Sequence, residues 1–174
     1  GDVIFVPPGT VHAANAGIVI YEVQQPSDHT FRIYDYDRSG LDGKRRELHI
    51  EQSLEVINFD GDSSVFSHYD AIADPAEAGS LTCLVDSDNF RLSAATARGM
   101  TASHGAGDSC LAVSVIDGGP AIFHCGQTRH VAGPGDSWLV PPGRELVVEP
   151  TMAEDGEIAT TYLIASPATA DAEG

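Results

Sequence analysis

A twelve-residue pattern at the start of the chain, Gly1-Asp2-Val3-Ile4-Phe5-Val6-Pro7-Pro8-Gly9-Thr10-Val11-His12, returns near its end as Gly135-Asp136-Ser137-Trp138-Leu139-Val140-Pro141-Pro142-Gly143-Arg144-Glu145-Leu146. A Gly-Asp turn, a short apolar strand and a Pro-Pro-Gly turn each fix a particular backbone geometry, so their recurrence predicts one structural unit used twice. The last position differs, with His12 in the first copy and Leu146 in the second. Leucine closes the scaffold in one place, so the geometry does not demand an imidazole in the other. His12 is therefore the first residue to consider for chemistry.

Around these turns the sequence reads mostly as short strands. Val3 to Val6 and Ile18 to Val23 are β-branched or aromatic runs separated by Gly and Pro turns, which predicts antiparallel strands, and Thr30 to Tyr36 gives a third extended stretch. After the turn Ser39-Gly40-Leu41-Asp42-Gly43 the period changes. Arg46 to Asn58 places Ile50, Leu54 and Ile57 at helical spacing, which predicts a helix ended by Gly61. A polar stretch from Asp60 to Ser64 leads into the second half, and β text resumes from Val65. Leu111 to Ile116, the turn Asp117-Gly118-Gly119-Pro120 and Ala121 to Phe123 read as a hairpin, and Trp138 to Val140, Leu146 to Val148 and Thr160 to Ile164 continue the series. Such spacing predicts a barrel or jelly-roll sandwich, and the repeat predicts two related ones. The small, acidic tail from Ala165 to Gly174 is expected to fray.

Composition narrows the function classes. With 174 residues, 42% hydrophobic and 20% charged, the chain has material for one or two compact domains. It has no apolar run near the length of a membrane span and no basic, then apolar, leader, so membrane and secretory readings find no support. Nine Lys and Arg face 26 Asp and Glu, and the net charge of −17 repels nucleic acid and anionic lipid surfaces. Five of the nine cations, Arg32, Arg38, Lys44, Arg45 and Arg46, fall in one fifteen-residue window. An anionic small molecule would find partners there, unless the interleaved Asp35, Asp37, Asp42 and Glu47 pair with them. Cys83, Cys110 and Cys125 are odd in number and form no C-x-x-C pair, so reduced thiols in the cytoplasm are expected rather than a disulfide framework or a zinc knuckle. Because it opens on Gly inside a strand-and-turn unit, the chain reads as a piece of a longer protein.

Taken alone, His12 reads equally as a metal ligand and as a satisfied polar residue at a barrel mouth. His49 is expected to leave the helix toward solvent or an interface. His29, His68 and His104 sit in polar or turn-like contexts without partners at ligand spacing. His124, Cys125 and His130 make an H-C-x4-H pattern that lacks a fourth ligand and reads as a strand end.

The spacing of Gly1, Pro7, Gly9 and His12 resembles the second sequence motif of cupins. More specifically, Gly1 to Ile57, with VPPGTVHA, GIVIYEVQQPSDHTFRIYDYDR and RELHIEQSLEVI, resembles the second half of the catalytic region of the type I mannose-6-phosphate isomerase family in its short bacterial form. The remainder resembles that family's C-terminal cupin domain through GPGDSWLVPPG. The resemblance implies an all-β architecture of cupin-type jelly-roll β-barrels. Residues 1–45 would form the second half of a metal cupin, 46–60 one connecting α-helix, and 61–174 a complete C-terminal cupin without metal ligands.

The resemblance further implies a cytoplasmic enzyme acting on a phosphorylated hexose, with one Zn²⁺ in each complete active site. The metal would be held by His12 and by His and Glu side chains of an earlier motif. Arg32, in Ser27-Asp28-His29-Thr30-Phe31-Arg32, matches the family's catalytic arginine, whose guanidinium would stabilise negative charge developing on an enediol. Glu22 matches a family glutamate that would contact substrate or support the metal's ligands, while Gln24 and Asp28 serve either the site or the local turn. Two positions depart from longer members: Ala14 stands where they have Tyr, and Tyr34-Asp35-Tyr36 where they have Thr-Pro-Lys.

No other ligand of that set has a counterpart in these residues. The chain alone is therefore expected to bind little metal and to turn over no substrate, needing the N-terminal half of the same protein. Two other classes are open. A non-catalytic sugar-binding or regulatory cupin would keep the fold without the chemistry. A redox cupin would need a facial set of ligands around iron, and the sequence after His12 argues against it.

Overall fold

The computed structural model describes residues 1–27, 29–61, 66–68, 79–153 and 156–168. The chain divides into two compact units, Ile4–Phe66 on one side and Gly1–Val3 with Ser67–Gly174 on the other. Strands β1 (Asp2–Ile4) and β2 (Phe66–His68) pair as a two-stranded ribbon.

The larger unit continues with β3 (Thr82–Asp86), β4 (Phe90–Ala97), β5 (Ala102–Gly105), β6 (Leu111–Gly118), β7 (Ala121–Cys125) and β8 (Thr128–Ala132). After these come β9 (Ser137–Val140), β10 (Glu145–Pro150), the short pair β11 (Met152–Ala153) and β12 (Gly156–Glu157), and β13 (Thr160–Pro167). Five strands form one sheet in the order β3-β4-β13-β6-β9, and four form a second in the order β5-β10-β7-β8. Along the chain, successive strands from β4 to β7 alternate between the sheets, and neighbours in each sheet are antiparallel. That alternation is the winding of a jelly roll.

A single apolar core fills the space between the sheets. Val113, Val115, Tyr162 and Ile164 from the first sheet meet Phe123, Leu146 and Val148 from the second. Period-two alternation along each strand sends these residues inward. The five-stranded sheet is apolar on its other face too, where Leu84, Ala94 and Leu163 cluster with Val3 and Ile116.

The predicted hairpin across Asp117 to Pro120 does not form, because β6 and β7 lie in different sheets. Gly118 takes a positive φ of 90°, a Cβ there would stand 2.1 Å from the Ala159 carbonyl oxygen, and the Gly119 N–H donates to that same oxygen at 3.0 Å. The glycines thus press the turn against the chain entering β13, and β7 is carried to the other sheet. The β7–β8 connection is a two-residue hairpin, with Cys125 opposite Thr128 and Gly126 at φ 61°.

Both copies of the repeated sequence build the same corner. The Thr10 N–H donates to the Pro7 carbonyl at 3.2 Å, and the Arg144 N–H to the Pro141 carbonyl at 3.3 Å. Gly9 and Gly143 both sit at positive φ, 83° and 68°. The copies diverge after the turn: Leu146 enters β10 and is 1% exposed, whereas no strand follows Gly9 and His12 is exposed.

In the smaller unit the predicted strands over Ile18 to Val23 and Thr30 to Tyr36 are absent, and Ile18, Val19 and Ile20 lie exposed. β-propensity is expressed where a neighbouring strand supplies a ladder, and none lies alongside these segments among the described residues. The helix α1 runs over Ile50–Val56, shorter than the predicted Arg46 to Asn58. On its N-terminal side the His49 N–H donates to the Arg32 carbonyl, and beyond its C-terminus the Asn58 N–H donates to the Gly9 carbonyl. Contacts with distant segments therefore take the backbone groups that would lengthen it, and Ile57, not Gly61, caps its end. The predicted apolar face is turned outward: Ile50 and Leu54 are exposed, and the buried residue is Ser53, whose hydroxyl donates to the His49 carbonyl at 2.6 Å. Asp28, most of the stretch from Asp60 to Ser64, the His68 side chain and the end of the acidic tail lie outside the described residues; Ala165–Pro167 of that tail belong to β13.

Candidate functional site

His12 follows the first Pro-Pro-Gly corner, with its Nδ1 at 2.9 Å from the Thr10 carbonyl oxygen. That contact suits the tautomer in which Nδ1 carries the proton and donates, leaving the Nε2 lone pair free. The ring lies exposed rather than aimed into a barrel, because the strand expected to carry it inward is not formed. Glu22 is exposed as well. Among the described residues, no three His, Cys, Asp or Glu side chains gather as a metal cluster.

Arg32 is held more firmly. Its backbone N–H donates to His49 Nδ1 at 3.1 Å, its carbonyl accepts from the His49 N–H at 2.7 Å, and its Nη1 donates to the Glu47 carbonyl at 3.1 Å. His49 thus faces Arg32 and packs edge-on against Phe31 at 6.2 Å, where the sequence placed it toward solvent or an interface. The centre of this arrangement is Asp35, one of the interleaved acids that the sequence offered as partners for the cationic window. Asp35 is buried, and its carboxylate accepts from Arg46 Nε at 2.7 Å and from Arg46 Nη2, with Arg32 Nε at 3.7 Å. The Arg46 hydrogen bonds, opposed by burial and aided by the charges of Arg46, Arg32 and Arg38, hold the Asp35 carboxyl below its usual range. Arg45 pairs with Asp37 at 3.1 Å, so much of the cationic window is neutralised by its own acids. Alternating charges in Tyr34-Asp35-Tyr36-Asp37-Arg38 and Arg45-Arg46 were the legible signal of this network.

The jelly roll contains a second polar feature. His104, expected in a polar or turn-like context, is 7% exposed on β5, and its Nε2 lies 2.7 Å from the Tyr162 hydroxyl on the opposite sheet. Burial pushes the His104 pKa down and the Tyr162 pKa up, so both groups are neutral in the core. His124 and His130 do not converge. The register sets His130 opposite Phe123 and His124 opposite Arg129, so adjacent positions send them to opposite faces of β7 and β8. His124 Nε2 lies 2.9 Å from Glu149, and His130 stacks on Trp138 at 4.4 Å.

No family model matches the chain. Over 57 residues, 33% of its length, it is 58% identical to the mannose-6-phosphate isomerase ManA of Bacillus subtilis and 54% identical over the same length to the mannose-6-phosphate isomerase of Streptococcus mutans. The matched stretch spans 18% of each of those relatives. The solved structure of the mannose 6-phosphate isomerase from Bacillus subtilis superposes on 78% of this chain and 40% of its own, with a TM-score of 0.51 and 16% identity, a likeness of fold. The chain thus joins an all-β cupin-type fold to a stretch of sequence similar to mannose-6-phosphate isomerases.

Proposed function

We propose that this chain is the C-terminal part of a zinc-dependent mannose-6-phosphate isomerase, which interconverts mannose 6-phosphate and fructose 6-phosphate by moving a proton between C2 and C1 through an enediol. The observation that carries this reading is the 58% identity over 57 residues to an enzyme of that name. His12 is its metal ligand. The Nδ1 contact with the Thr10 carbonyl supports the assignment, since a backbone acceptor on one ring nitrogen fixes the tautomer that offers the other to a metal. A bound zinc ion would orient the sugar oxygens and polarise the carbonyl.

Arg32 stabilises the negative charge that develops on the enediol oxygen. Its contacts with Asp35 and the Glu47 carbonyl fix the guanidinium while leaving other N–H donors for substrate. Glu22 contacts the hexose hydroxyls. One imidazole does not hold zinc against water, so the N-terminal half of the same protein supplies the remaining ligands and the chain by itself is inactive. The same reading places the protein in the cytoplasm.

The test is a full-length protein assayed for zinc content and for fructose 6-phosphate turnover through a coupled glucose 6-phosphate readout. Stoichiometric zinc with isomerase activity is expected, and His12→Ala should lose both. A metal-replete, full-length protein without activity would defeat the proposal and favour a sugar-binding cupin.

A further inference from the structure

Arg32 is tied to one short segment, Glu47 to His49, that leads into α1. The Arg32 N–H donates to His49 Nδ1 at 3.1 Å, the His49 N–H donates to the Arg32 carbonyl at 2.7 Å, and Arg32 Nη1 donates to the Glu47 carbonyl at 3.1 Å. Both backbone groups of Arg32 therefore end on a single residue 17 positions away. With its N–H and C=O held from one side, the Arg32 backbone has little freedom to rotate, and the direction in which its side chain leaves is set.

His49 is the N-cap of α1, a position where a side-chain acceptor ordinarily takes an amide N–H of the first turn. Its side chain makes no such bond. The ring's acceptor goes to Arg32 instead, so the helix start forgoes a cap that the arginine receives. What anchors His49 is its own carbonyl, which accepts from the Ser53 N–H at 2.9 Å and from the Ser53 hydroxyl at 2.6 Å. Ser53 is the buried residue of the helix. The order of holding thus runs from Ser53 through His49 to Arg32. Accepting an N–H requires the Nδ1 lone pair, so the neutral His49 ring carries its proton on Nε2, the opposite tautomer to that of His12.

We propose that His49 is a positioning residue for the reaction assigned to Arg32, its Nδ1 accepting the Arg32 N–H and so setting where the guanidinium meets the enediol oxygen. This inference rests on the isomerase reading. Asp35 and His49 act on different parts of the arginine. The carboxylate lies 3.7 Å from Nε and steadies the head, whereas the imidazole fixes the backbone from which the long stem leaves. A small rotation at that backbone is a large displacement at the guanidinium, and a misplacement of about 1 Å at a reacting centre costs on the order of a hundredfold in rate.

The experiment uses the full-length protein, with zinc content, thermal unfolding midpoint, kcat and KM measured for each variant. Asn Oδ1, like His Nδ1, is bonded to Cγ, so His49→Asn keeps an acceptor at the same remove from the backbone; in His49→Gln the oxygen stands one bond further out. His49→Ala should retain zinc and lower kcat by about tenfold to a hundredfold, with KM changed less than about threefold. His49→Asn should return kcat to within about threefold of wild type, and His49→Gln should not. Amide hydrogen exchange at Arg32 reads the tie without turnover: it should quicken in His49→Ala and His49→Gln and stay slow in His49→Asn. Retained kcat in His49→Ala, a loss confined to KM, equal kcat in the Asn and Gln variants, or a loss that follows zinc content or the folded fraction would each overturn the proposal and leave the isomerase reading intact. Should His49→Ala fail to fold, the Asn and Gln pair decides. A zinc-replete wild type without turnover defeats the isomerase reading, and this proposal with it.

Discussion

Asp35 gathers two guanidinium groups from segments more than ten residues apart, and Arg32 owes its fixed position to that carboxylate and to His49. On the proposed isomerase reading, Arg32→Ala in the full-length protein should therefore lower kcat/KM by about 10²–10³-fold, the usual cost of removing a preorganised donor from developing charge. The same reading expects Arg32→Lys to recover little, because an ammonium lacks the planar fork that could meet Asp35 and a substrate oxygen together; the coupled assay checks both variants. His104 gives the pH dependence. Its folded pKa lies below the ordinary 6.5, so as pH falls below that value the unfolded chain takes up a proton that the folded barrel refuses. Stability is full above this window and is lost as pH falls through it. Asp35 acts in the same sense at lower pH, its contribution being present above the ordinary 3.8 and lost as pH falls below it. The urea midpoint of the barrel should accordingly drop between about pH 7 and pH 5, and His104→Gln should remove most of that drop.

At the scale of elements, what the sequence announces is local geometry. The Pro-Pro-Gly corners form twice with the same backbone hydrogen bond, and β6, β9, β10 and β13 coincide with runs of alternating or β-branched residues. Pairing is not local, and there the reading failed. Asp117-Gly118-Gly119-Pro120 carries every mark of a hairpin turn, yet the core sends its two strands to different sheets. The backbone crowding at Gly118 shows what that crossing needs: Gly118→Ala should destabilise the barrel by more than about 2 kcal/mol in chemical denaturation, since a Cβ meets both a positive φ and the Ala159 carbonyl. His104 was misplaced for a related reason. Ala102-Ser103-His104-Gly105 alternates buried and exposed as a strand should, but the partner that makes a buried imidazole tolerable, Tyr162, lies 58 residues away. The strands read into Ile18 to Val23 and Thr30 to Tyr36 failed because propensity without a ladder partner leaves the chain irregular.

For the molecule as a whole, the described residues contain no helix long and apolar enough to cross a membrane, and the two units differ in how they are held together. The larger has a continuous apolar core between two sheets, whereas the smaller relies on ion pairs, turn hydrogen bonds and one short helix with its apolar residues exposed. The sequence offers His12 and Arg32 as candidates because their motifs are printed in it, and their roles rest on the proposed reading. The pairing of Asp35 with that window's cations was legible in the alternating charges, whereas the contact of His49 with Arg32 was not, since it is set by the fold.

The placement of β13 carries a consequence for synthesis. It is the last strand among the described residues and lies between β4 and β6 in the five-stranded sheet, pairing with both. A ribosome delivering the polypeptide from its N-terminus exposes Val113, Val115 and Phe123 long before the strand that closes over them arrives. Nascent chains halted before Thr160 should remain protease-sensitive throughout the barrel, and release of the segment through Pro167 should confer resistance in a single late step. Until then, the half-built sheet has two unsatisfied edges where its centre will be.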